Sequence, residues 1–184
     1  PAIRQVGPHH AEGAYRPVSG TGALFSRREA LRLGLLASLL PGSATAATGG
    51  FLMVGDRALF GALAPVLLAG ALPIGKDRAA AIEVVVAGVE RAVAGLPPST
   101  QAELRQLFDL LGFAPTRLLL TGLWGDWPEI SPERLDAFLV DWRQSSIGLL
   151  RVAYFALHEL VFAAWYGNPQ SWSRIGYPGP PELS

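Results

Sequence analysis

Gly148-Leu149-Leu150-Arg151-Val152-Ala153-Tyr154-Phe155-Ala156-Leu157-His158-Glu159-Leu160-Val161-Phe162-Ala163-Ala164-Trp165 is the stretch whose reading decides the fold. Leu150, Ala153, Tyr154, Leu157, Val161 and Trp165 recur at steps of three and four, the spacing that places side chains on one side of an α-helix. Upstream, Ser131-Pro132 is a helix start, with a capping serine before a proline in the first turn. Leu135, Phe138, Leu139 and Trp142 then continue the apolar stripe. Ser145, Ser146 and Gly148 interrupt it, so 132–165 reads as two helices or as one with a bend.

The same period governs the rest of the body. Phe51 to Leu68 predicts a helix from about 53 to 71, entered at Asp56-Arg57. Its apolar stretch approaches spanning length, but Gly61, Pro65, Gly70 and the charged entry favour a helix buried in protein. Ile82, Val85, Val86, Val89 and Val93 predict an amphipathic helix over 77–94. Ser99 or Thr100 is expected to cap the next, with Leu104, Leu107, Phe108 and Leu111 as its stripe and Gly112 as its stop. Residues 116–122 form a short helix or turn. No period-two alternation or internal repeat is evident. The expected fold is all-α, a small bundle of about five helices with an extended Pro/Gly/aromatic C-terminal tail.

Composition limits the chemistry. The 184 residues are 50% hydrophobic and 16% charged, with no cysteine, which suits one ordinary core and removes thiolate metal sites, disulfides and cysteine nucleophiles. Net charge is zero but unevenly spread: residues 1–50 hold five Arg and two Glu (+3), and 51–184 hold ten Lys+Arg and thirteen Asp+Glu (−3). An acidic body without basic clusters argues against nucleic acid. His158-Glu159 is the pairing to check for proton transfer, yet it lacks the second histidine of a zinc helix and reads first as a structural network. Serine elbows, phosphate loops and dinucleotide fingerprints are missing. Asp141, Arg143 and Arg151 read as surface or interface ion pairs. Catalytic residues and metal ligands are therefore assigned to none of the side chains.

Arg27-Arg28, with Leu31 as the following apolar position, precede the short run Leu33–Leu40, and Pro41-Gly42 and Ala44-Thr45-Ala46 follow. The order basic, apolar, small is that of a twin-arginine (Tat) export signal, with cleavage expected after Ala46. Eight apolar residues fall far short of the roughly 20 that cross a bilayer. Residues 1–48 are read as the leader and 49–184 as the helical domain.

Five tryptophans lie in the last third. Trp142 and Trp165 are expected in the core. Trp124, Trp127 and Trp172, on loops, are expected at a partner surface, because indoles give large contact area at small entropy cost; the tail 165–181 that carries Trp172 either lies along another surface or folds back on its own core. The ending Tyr166-Gly167-Asn168-Pro169, Trp172 and Ile175-Gly176-Tyr177-Pro178-Gly179-Pro180 resembles the Gly-Asp-Pro…Gly-Trp…Ile-Gly-Phe-Pro-Gly ending of the gluconate 2-dehydrogenase subunit 3 (gamma) family. Asn168 stands where that ending has Asp. The leader fits the same family.

The resemblance implies a Tat-exported, periplasmic small subunit with no cofactor of its own. It would accompany an FAD-dependent glucose-methanol-choline (GMC) oxidoreductase acting on an alcohol or sugar, often together with a haem c-bearing cytochrome c subunit. Tyr166, Trp172, Tyr177, Pro178, Gly179 and Pro180, with Trp124 and Trp127, would then meet the flavoprotein. The alternative reading is a free-standing periplasmic helical protein that binds a small apolar ligand or acts through His158 and Glu159.

Overall fold

In the computed structural model, residues 50–172 are described; the leader, including Arg27, Arg28 and Leu31, and the tail residues Tyr177, Pro178, Gly179 and Pro180 lie outside them. Among the described residues the fold is all-α, without a strand. The elements are α1 (Val54–Leu67), α2 (Asp77–Ala94), α3 (Pro98–Gly112), α4 (Ala114–Thr121), a 3-10 turn (Trp127–Glu129), α5 (Pro132–Gln144), α6 (Gly148–Tyr166) and a four-residue α7 (Pro169–Trp172).

Breakers and caps set these boundaries. α1 stops at Leu67, short of the expected 71, and Gly70 (φ 82°) takes the chain round the turn that follows. α3 starts at Pro98 with Pro97 as its N-cap, which displaces the expected Ser99 or Thr100 cap: proline is tolerated at the first helical position because its missing N–H has no partner there. Gly122 ends α4 in the left-handed conformation (φ 69°). The long C-terminal pattern resolves into two helices broken at 145–147. The ending is less extended than expected, since Trp165 and Tyr166 complete α6 and Pro169–Trp172 add a helical turn.

α6 is the central element, packed most extensively on α2 and also on α5 and α1. It is long and apolar enough to cross a membrane, but Ala153, Leu157, Leu160, Val161, Ala164 and Trp165 are buried in the bundle. One core joins them to Leu59, Phe60 and Leu63 of α1, Val85, Val89 and Val93 of α2, Leu104, Leu107, Phe108 and Leu111 of α3, and Leu135, Phe138, Leu139 and Trp142 of α5. Each buried Val, Leu or Phe among them contributes roughly 1.5–3 kcal/mol of hydrophobic stabilisation, and each alanine about one methyl group's worth, less than that range. At the N-terminal end of α6 a small satellite core gathers Leu110, Leu120, Leu149 and Val152, which seats α4 there.

Candidate functional site

α4 and the loop after it have inverted polarity. Its one basic residue, Arg117, is buried, while Leu118 and Leu119 face solvent, Leu119 at 81% exposure. The Arg117 guanidinium lies 5.2 Å from the Trp127 ring centroid, and its Nη2 donates to the Gly125 carbonyl at 2.6 Å. The loop is pinned from beneath as well: Trp142 Nε1 donates to Leu120 O at 2.9 Å, Thr121 Oγ1 to Arg117 O at 2.8 Å, and Leu123 N–H to Thr121 Oγ1 at 3.1 Å. Phe113 and Trp124 flank the helix, Trp124 with 67% of its surface in water. Four large apolar side chains are thus exposed on one anchored segment of twelve residues, an arrangement that suits a contact face.

Of the tryptophans expected at a partner surface, Trp124 belongs to the exposed face. Trp127 does not: its 3-10 turn carries the indole inward to 3% exposure, against Phe138 at 6.5 Å between ring centroids and beneath Arg117. Trp172 folds back on the end of α6, where its Nε1 donates to Tyr166 O at 2.8 Å, and Tyr166 is partly exposed beside it. These two stand at the far end of α6 from α4, about 24 Å along the axis at 1.5 Å per residue. Trp142 and Trp165 are core residues, as the sequence predicts.

His158 is partly exposed. Its ring stacks on Phe162 (4.0 Å between centroids, 23° between planes) and lies near Tyr154 (5.6 Å), in an i, i+4 row that continues to Tyr166. Nδ1 is 3.3 Å from Glu159 Oε1, and Glu159 is largely in solvent. A cleft of about 240 Å³ beside His158 is lined by Asp136, Arg143, Val66 and Leu139. A wider groove of about 510 Å³ runs between α1 and α5, floored by Trp127, Ile130 and Leu135, with Arg57 and Glu83 at one end 3.7 Å apart. The ion pairs expected of Asp141, Arg143 and Arg151 are not formed among the described residues; Arg151 donates instead to the Ser145 carbonyl. Also among the described residues, no three acidic or histidine side chains converge as a metal site would require.

The burial of Arg117 was not legible, because Leu118-Leu119-Leu120 reads as the inward part of any helix containing it. In an eight-residue helix only one narrow face can be buried, and the carbonyl of Gly125 together with the Trp127 ring selects arginine for it. Comparison of the chain with protein-family models, with curated proteins and with solved structures returns no match in any of the three.

Proposed function

We propose that the chain is a non-catalytic small subunit that binds and stabilises an FAD-dependent GMC-type alcohol or sugar dehydrogenase. It carries that enzyme to the periplasm through the twin-arginine pathway. The observation that carries a binding role is the inverted α4 face, where a buried arginine holds Leu118, Leu119 and Trp124 out to solvent. The class of partner comes from the resemblance of leader and tail alone. FAD belongs to the partner, and a cytochrome c subunit is the expected third component.

A Tat leader moves folded cargo, so a leaderless flavoprotein bound beforehand travels with it. Replacing Arg27 and Arg28 by Lys in the full chain strands both proteins in the cytoplasm, read by fractionation and flavin content. Export of the flavoprotein at the unaltered level would sink the reading.

The cleft beside His158 favours the second reading, a free-standing periplasmic helical protein that binds a small apolar ligand or acts through His158 and Glu159. His158→Ala separates the two. It leaves the dehydrogenase complex intact under the first reading and abolishes ligand binding under the second.

A further inference from the structure

We propose that residues 31–40 of the chain's own leader dock on the outward face of α4, covering Phe113, Leu118, Leu119 and Trp124. The face asks for an apolar occupant with basic flanks. In the segment 122–134 that frames Trp124, Asp126, Glu129 and Glu133 outnumber Arg134. Residues 31–40 supply Leu31, Leu33, Leu35, Leu36, Leu39 and Leu40, with Arg27, Arg28 and Arg32 at their basic end. The opposed balances of leader and body, +3 and −3, draw the two together.

Entry geometry favours the leader over other occupants. The described chain begins between α2 and α3: the Leu52 N–H donates to the Glu90 carboxylate at 3.1 Å, Arg105 Nη1 donates to Phe51 O at 3.4 Å, and the Phe51 and Phe108 rings are 6.2 Å apart. Phe113 follows Phe108 by five residues, ~8 Å along a helix axis. Ten residues from Leu40 to Gly50 reach up to ~33 Å, ample for the return. The C-terminal tail departs from the opposite end of α6 and offers scattered Ile175 and Tyr177 rather than an apolar run. A second copy is disfavoured by area, since four side chains amount to a few hundred Å² against the roughly 800 Å² per partner of a stable dimer. A tethered segment needs less, because its effective concentration is on the order of millimolar.

The consequence rests on the proposed function: leader and partner compete for one face, so the export signal is withheld until the partner displaces it. The docking itself is testable without any partner. In this cysteine-free chain, Leu119→Cys on the full-length protein provides one thiol at a solvent-facing position, and its rate of reaction with N-ethylmaleimide is compared with that of the same chain carrying Leu35→Asp and Leu36→Asp. Ala163→Cys, exposed near the other end of α6, is the control site, and matched thermal melts verify folding.

The expected result is a thiol at 119 that reacts about tenfold more slowly with the native leader, as for a face covered roughly nine-tenths of the time. Position 163 reacts at the same rate in both chains. Equal rates at 119 in the two chains would overturn the proposal. So would protection that persists in the leader variant but disappears on removing residues 173–184, or protection that depends on protein concentration. Each of these results leaves the export experiment free to succeed or fail by itself.

Discussion

Asp56 holds together the N-terminal half of the bundle through contacts far apart in sequence. It is buried, accepts the Met53 N–H at 2.8 Å as an acidic cap at the third position of α1, and accepts Arg105 Nη1 and Nη2 at 2.6 and 3.0 Å. Arg105 also pairs with Asp109 at 2.8 Å through Nε. Burial works to lower the guanidinium pKa, but the Asp56 hydrogen bond and the charges of Asp56 and Asp109 outweigh it, so Arg105 is held above its ordinary value. A raised basic group stabilises the fold fully below its unfolded pKa and loses that contribution only as pH climbs through its folded one. Arg105 therefore adds no pH dependence near neutrality. Asp56→Ala leaves the guanidinium without its main counter-charge, and the expected loss is about 3 kcal/mol in urea unfolding, at the low end for a broken buried pair because Asp109 remains. Arg105→Met in that background recovers part of it; a loss under about 1 kcal/mol would show the pair to be peripheral. From the sequence, Asp56-Arg57 could be read only as a charged helix entry, since the partner lies 49 residues away and nothing local announces it.

Helix by helix, the fold was largely legible, because 3.6-residue periodicity is a local property. The span 77–94, the stop at Gly112 and the start at Pro132 all follow from neighbouring residues. What the period cannot supply is which helices touch and how closely. Gly88 shows the gap: a Cβ there would lie 2.7 Å from Ala164 Cβ and 3.0 Å from its Cα and carbonyl oxygen, so the α2–α6 crossing depends on a hydrogen in that place. Gly88→Ala gains about 1 kcal/mol in helix propensity but overpacks the crossing by about 1–3 kcal/mol. The expected net is a loss of up to about 2 kcal/mol by chemical denaturation, with Ala164→Gly costing less in that background than alone. A more stable Gly88→Ala would mean that the helices slide apart freely. At the start of α5, the backbone N–H of Glu133, and after it the Ser131 hydroxyl, hold the Glu133 carboxyl below the usual carboxylate range. A lowered acid stabilises above its unfolded pKa and loses that contribution as pH falls through the folded one, so the first turn of α5 loosens in acid. Carbon NMR titration of Glu133 checks this, with Ser131→Ala expected to move the midpoint upward; an ordinary midpoint in the native chain would contradict it.

At the scale of the molecule, the candidate site was half legible: loop tryptophans point outward as a class, but tertiary packing decides each one. Trp124 and Trp127 are three residues apart, with loop sequence around both, and Arg117 separates them by taking the Trp127 ring as the lid of its own burial. The two positions consequently divide stability from binding. Trp127→Ala removes a buried indole from between α1 and Phe138 and costs about 3–5 kcal/mol, read as a large drop in melting temperature of the chain alone. Trp124→Ala removes a side chain that is mostly in water and leaves that melt within about 0.5 kcal/mol of the original. If, as proposed, the chain is the small subunit of a flavin dehydrogenase and its α4 face meets that enzyme, Trp124→Ala weakens co-purification of the dehydrogenase while the isolated chain stays folded, because an exposed indole is the kind of anchor that dominates an interface. Under the proposed function, undiminished recovery of the flavoprotein with Trp124→Ala and with Leu119→Asp would move the proposed contact away from α4, to the end of α6 where Tyr166 and Trp172 lie.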